Sequence, residues 1–137
     1  MLFNPADIKW GWVFLGVVIA FIIAYGSSIL VVTGYATYLA FKVMGTPDQT
    51  LINEFAAKTA GGIVCTCIGI GTLAGGLFAG RKAKVNALQN GLAVGLFTAL
   101  IGLLFSFLGS LNLWPVVSFA LSITGGWAGG KLAGRRA

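Results

Sequence analysis

The stretch WGWVFLGVVIAFIIAYGSSILVVTGYATYLAF, residues 10–41, runs for 32 residues without a charged side chain. A helix crosses a bilayer core of about 30 Å with about 20 apolar residues, so this stretch alone is long enough to span. It continues well past the roughly 7–15 apolar residues of a signal-peptide core, and its flank is neutral, Asp7 standing against Lys9. It therefore reads as an uncleaved first span. Outward from it, charge-free runs recur at 59–80 (22 residues) and 85–130 (46 residues). The longer run is broken by the turn-forming segment Gly109-Ser110-Leu111-Asn112-Leu113-Trp114-Pro115, which leaves room for a span on either side. The expected fold is an all-α integral membrane protein with four transmembrane helices, near 10–36, 58–80, 85–108 and 113–134, paired as two hairpins in a single domain over 1–137. The runs do not alternate in polarity, which excludes a transmembrane barrel.

Composition narrows the chemistry. Of 137 residues 58% are apolar and 9% charged, against about a quarter charged in soluble domains, and the mean hydropathy is +0.95. Histidine is absent and the acidic residues are Asp7, Asp48 and Glu54. Acid–base and metal-dependent catalysis lack their usual groups, so no enzymatic role, metal or cofactor is expected. Cys65 and Cys67, two apart, face different sides of a helix and read as small apolar side chains.

Orientation follows from the basic residues at the span ends. Arg81, Lys82 and Lys84 follow the second span, and Lys131, Arg135 and Arg136 close the fourth. An even number of spans puts both clusters on one face, so both termini are expected in the cytoplasm, with the six residues at anionic lipid headgroups. The opposite face carries Lys42, Asp48, Glu54 and Lys58, which sum to zero. A net charge of +6 also suits nucleic acid, but three basic residues per cluster beside a bilayer are ordinary topology signals, and no nucleic-acid partner is expected. The aromatic residues agree: Trp10, Trp12 and Trp127 fall at the inner interface, and Tyr35, Tyr38 and Trp114 at the outer one.

Thr46-Pro47-Asp48-Gln49 has the capping-box pattern, with Thr46 as cap and Pro47 in the first helical position. Two arrangements of residues 37–57 fit this connection: a helical hairpin that protrudes from the outer face, or a tilted first span followed by an interfacial loop.

Gly75-Gly76-Leu77-Phe78-Ala79-Gly80-Arg81-Lys82-Ala83 aligns on Gly129-Gly130-Lys131-Leu132-Ala133-Gly134-Arg135-Arg136-Ala137 with six identities in nine. Two spans separate the copies, so they share an orientation and suggest a parallel repeat of hairpins about an axis along the membrane normal. In this pattern the chain resembles a group of small bacterial four-span membrane proteins of unknown function, whose second and fourth helices end in Gly-Gly-x-x-Ala-Gly-Arg. The resemblance implies the four-span layout and a bacterial inner-membrane location. It carries no activity, and the chain departs from the group in its longer first outer connection.

The 21 glycines supply the main packing signal. Gly71 and Gly75, Gly76 and Gly80, Gly91 and Gly95, and Gly126, Gly130 and Gly134 lie four apart, while Gly95, Gly102 and Gly109 lie seven apart. Small residues at these spacings form flat stripes where helix backbones approach closely in lipid. Packing inside the chain's own bundle uses most of them, and a minority is left for a partner or a second copy.

Two strings imitate nucleotide sites. Gly69-Ile70-Gly71-Thr72-Leu73-Ala74 lacks the acidic residue a dinucleotide fingerprint places about 20 positions on, and Gly125-Gly126-Trp127-Ala128-Gly129-Gly130-Lys131-Leu132 has Leu132 where a phosphate loop needs Ser or Thr. Both read as membrane-helix faces. No ionisable residue lies near the middle of a span, where pumps and carriers keep them. The in-span hydroxyls, among them Thr72, Thr98 and Ser122, are expected to bond to carbonyls of their own helices. The expected role is a non-catalytic structural or accessory subunit that packs against other membrane helices; a small homo-oligomeric channel or carrier is the alternative.

Overall fold

The computed structural model describes residues 7–107 and 114–135, and no strand occurs among the described residues. The chain forms α1 (Trp10–Val43), α2 (Gln49–Ala83), α3 (Ala87–Phe107) and α4 (Trp114–Gly134). Val, Ile and Gly are poor helix formers in water. In hydrocarbon every backbone N–H and C=O needs an internal partner, and the helix supplies one at each residue. Three segments are long and apolar enough to cross a membrane: Trp10–Val43, Gly61–Ala83 and Ala87–Leu104. They mark an integral membrane protein. The 21-residue α4 holds five glycines and Lys131, a composition that lowers its hydropathy.

α2 is the central element and packs on α1, α3 and α4, while α1 also reaches α3, and α3 packs on α4. The hairpins differ in length. α1 and α2 have 34 and 35 residues, about 51 and 53 Å, whereas α3 and α4 have 21 each, about 32 Å. The Trp114 indole, in the first turn of α4, lies against Gly61 of α2. The part of α2 from Gln49 up to that contact projects about 18 Å beyond the start of α4. In this projecting part Tyr35 stacks on Phe55 with ring centroids 3.9 Å apart, and Glu54 pairs with Lys58 at 3.8 Å across one exposed turn. Residues 37–43 and 49–57 are helical, so the projection is a hairpin of two helices joined by a short turn.

The turn corrects one expectation. Asp48, not Thr46, caps α2, and the helix begins at Gln49. The Asp48 carboxylate accepts from the Thr50 backbone N–H at 2.9 Å and from the Thr50 hydroxyl at 2.6 Å, two bonds to an anion where a Thr46 hydroxyl would offer a neutral acceptor. Pro47 consequently lies outside the helix. α1 ends at Met44 in the left-handed region (φ 50), and the Gly45 N–H donates to the Ala40 carbonyl at 3.3 Å, the closure usual at helix C-termini. Trp114 and Pro115, the last residues of the turn-forming segment, belong to α4, within the range expected for the fourth helix, since proline is tolerated in a first turn; residues 108–113 lie outside the described residues.

The two bonds from Thr50, the hydroxyl first and then the N–H, hold the Asp48 carboxyl below its ordinary pKa of 3.8. A lowered folded-state pKa means that the cap stabilises fully above the ordinary value and is lost as pH falls through the lower one. Protection from amide exchange at Thr50, Leu51 and Ile52, taken relative to the intrinsic rate at each pH, should therefore fall below about pH 4, and Asp48→Asn should remove that pH dependence. An unchanged acid profile in the variant would show that Asp48 does not hold the helix start.

Candidate functional site

The glycines expected to mediate packing lie where the helices meet. On the α1 side of α2, a methyl group placed on Gly75 would collide with the Gly16 carbonyl, and one on Gly71 would lie 2.5 Å from the Ala20 carbonyl oxygen. On the α4 side, a methyl on Gly76 would lie 2.9 Å from the Gly126 carbonyl oxygen, and one on Gly80 would lie 2.8 Å from the Ala133 methyl. Between α3 and α4, Gly91 faces Gly130 and Gly126, while Gly95 faces the Ser122 carbonyl at 2.5 Å. Consecutive residues on a helix are about 100° apart. Each of the pairs Gly75-Gly76, Gly125-Gly126 and Gly129-Gly130 therefore touches two neighbouring helices at once. Gly125 and Gly129 face α2, and Gly126 and Gly130 face α3.

Three glycines differ. A methyl on Gly102 would meet nothing within 4 Å, and one on Gly134 would meet only the Ala87 methyl, at 3.8 Å; Gly109 lies outside the described residues. The glycines matched by the sequence repeat also have different surroundings. Gly75 faces α1, its own hairpin partner, but the aligned Gly129 faces α2, and it is Gly130 that faces the hairpin partner α3. The contacts correspond with Gly16 and Ala20 matched to Gly91 and Gly95, and with Gly75 and Gly71 matched to Gly130 and Gly126, one residue out of register with the nine-residue match.

Arg81, Lys82, Lys84, Lys131 and Arg135 are all exposed, while Arg136 lies outside the described residues. The Lys82 ammonium lies 6.0 Å from the centre of the Trp12 ring, and the Lys131 ammonium 4.6 Å from that of Trp127. The α2–α3 turn at this end places Lys84 and Asn86 in the left-handed region.

Beside that turn is a polar cluster that the sequence reading passed over. Asn90 is fully buried. Its Oδ1 accepts from the Lys9 backbone N–H at 2.9 Å, and its Nδ2 donates to the Val85 carbonyl at 2.9 Å and the Asn86 carbonyl at 3.2 Å, with a longer approach of 3.4 Å to the Asp7 carbonyl. Asn86 in turn donates to the Asp7 carboxylate. The cluster clamps the start of α1 to the start of α3. Its one trace in the sequence is a group of amides, Asn86, Gln89 and Asn90, at the head of a long uncharged run.

Seven of the described in-span hydroxyls turn inward on their own helices. Thr72 donates to the Ile68 carbonyl at 2.8 Å, Thr98 to the Val94 carbonyl at 2.8 Å and Ser122 to the Ser118 carbonyl at 2.8 Å; all three residues are fully buried. Ser28, Thr37, Thr66 and Thr124 do the same. The two nucleotide-like strings lie inside α2 and α4, where helical bonding occupies the N–H groups a phosphate would need. Cys65 and Cys67 are not in a disulfide, the Cys65 thiol donates to the Trp114 carbonyl at 3.4 Å, and no group of three His, Cys, Asp or Glu that could hold a metal occurs among the described residues. Comparison with protein-family models, curated proteins and solved structures finds no match to this chain.

Gly76→Ala and Gly126→Ala should each lower stability in detergent by about 1–3 kcal/mol, the usual cost of overpacking. Gly26→Ala and Gly34→Ala, where nothing lies within 4 Å, should instead gain about 0.5–1 kcal/mol from the change in backbone entropy. Equal losses at all four positions in a denaturant titration would contradict this assignment of contacts. Asn90→Ala should cost about 1–3 kcal/mol by stranding buried partners, and the loss should show first in the fluorescence of Trp10, next to the clamp.

Proposed function

We infer that the protein is a non-catalytic four-span membrane subunit that packs against other membrane helices in a larger assembly. The observation that carries this reading is that Thr72, Thr98 and Ser122, fully buried among the helices, all donate to carbonyls of their own helices. The described interior then offers no free polar path to an ion or a proton, which disfavours a channel or carrier. The hairpin supports the same reading from outside. Past Trp114, α1 and α2 have only each other for company among the described helices, and they carry exposed Tyr38, Phe41 and Leu51.

In this proposal α4 is the fourth span, its glycines sheltered against α2 and α3 and its Lys131 extended to the headgroups. The two hairpins are parallel copies, a relation supported by the matching contacts at Gly16/Gly75 and Gly91/Gly130. Both termini and the basic clusters face the cytoplasm. The bacterial inner membrane is the location implied by the resemblance to small four-span proteins.

After mild detergent extraction, the chain should co-migrate on a native gel with unrelated polypeptides. A pure homo-oligomer that conducts ions in liposomes would replace the subunit reading with the channel. An impermeant thiol reagent should label Gln49→Cys from outside and Lys84→Cys only after permeabilisation, and the reverse pattern would invert the topology.

A further inference from the structure

A groove runs along the outside of the bundle between α1 and α3, and the glycine contacts account for it. α1 is drawn onto α2 at Gly16 and Ala20, and α3 onto α4 at Gly91 and Gly95. α1 and α3 meet each other around Val13, Val17 and Val94 and leave open space alongside. Two adjoining cavities of about 240 and 520 Å³ lie there and share Phe14, Val17 and Ile101. Trp10 and Phe97, edge to face at 5.6 Å, bound the first, and the second reaches Tyr25. From Trp10 to Tyr25 the helix rises about 22 Å, more than the half-thickness of a core of about 30 Å.

No residue lining either cavity is charged. The Trp10 end adjoins a surface depression that includes Lys9 and Trp12, and the Lys82 ammonium lies over the Trp12 ring. Asp7, the acidic group on this side, is already engaged by Asn86. A groove that is apolar along its length and basic at one end matches an acyl chain beneath an acidic headgroup. We propose that it holds one acyl chain of an anionic phospholipid whose phosphate is bound by Lys9 and Lys82. The proposal is independent of the subunit reading and needs only that the basic end lie at headgroup level.

The test is native mass spectrometry of the full chain, extracted in mild detergent and offered equimolar phosphatidylglycerol and phosphatidylcholine with identical acyl chains. One lipid per chain should be retained, with phosphatidylglycerol preferred by about fivefold for each lysine involved. Lys9→Gln combined with Lys82→Gln should abolish the preference, since both side chains are exposed and their loss spares the core. Val18→Trp, which fills the second cavity, should reduce retention of both lipids; circular dichroism of each variant reports whether the helices are intact. Retention of no lipid, equal retention of the two lipids by the unaltered chain, or a preference that survives the double lysine substitution would overturn the proposal. So would a chain dimer that Val18→Trp dissociates, because a second copy would then fill the groove.

Discussion

The bundle rests on backbone-to-backbone contact at successive glycines. In lipid, apolar side chains gain nothing by leaving their surroundings, so helices associate through van der Waals contact and polar bonds. A single small residue lets one neighbour approach. Two in succession, about 100° apart, let two neighbours approach at the same level. Gly75 and Gly76 bring α1 and α4 onto adjacent sides of α2, and Gly129 and Gly130 bring α2 and α3 onto α4. No described glycine has a positive φ, so the residue serves here for the space it leaves and not for its backbone freedom.

Close approach also explains the chemistry of the interior. With carbonyls of one helix against the Cα atoms of the next, little room remains for water, and a buried hydroxyl finds its acceptor in the preceding turn of its own helix. The charged groups are displaced to the ends of the helices: carboxylates and lysines on the projecting hairpin, and lysines and arginines beside the tryptophans at the opposite end. The apolar groove between α1 and α3 is the reverse side of the same arrangement, since helices pulled toward α2 and α4 cannot also close on each other.

How much of this the sequence disclosed depended on the range of the interaction concerned. The helical segments were legible because the absence of charge over 32, 22 and 46 residues is a one-dimensional signal. Three segments are long and apolar enough to cross a membrane; the fourth helix is diluted by its glycines and Lys131. The four-residue glycine spacing was legible too, but not which neighbour each glycine meets. That requires the rotation of the helix, and the repeat alignment came out one residue from the spatial correspondence. The capping-box pattern pointed to Thr46, but the Asp48 carboxylate prevailed through its two bonds to Thr50. Asn90 was not legible, because an amide near a helix start looks like any surface residue until Lys9, 81 positions earlier, is brought to it.

That separation has a consequence for biogenesis. α1 is the first of the four helices to leave the ribosome, yet the amide that fixes its beginning belongs to α3. Its start cannot be secured until α2 has been laid down and the first turn of α3 has formed. The earliest helix is thus the last to be fastened at its first turn, and until then α1 is held by its contacts with α2 alone. Closure of the Asn90 clamp marks the moment when the nascent chain ceases to be a hairpin and becomes a bundle.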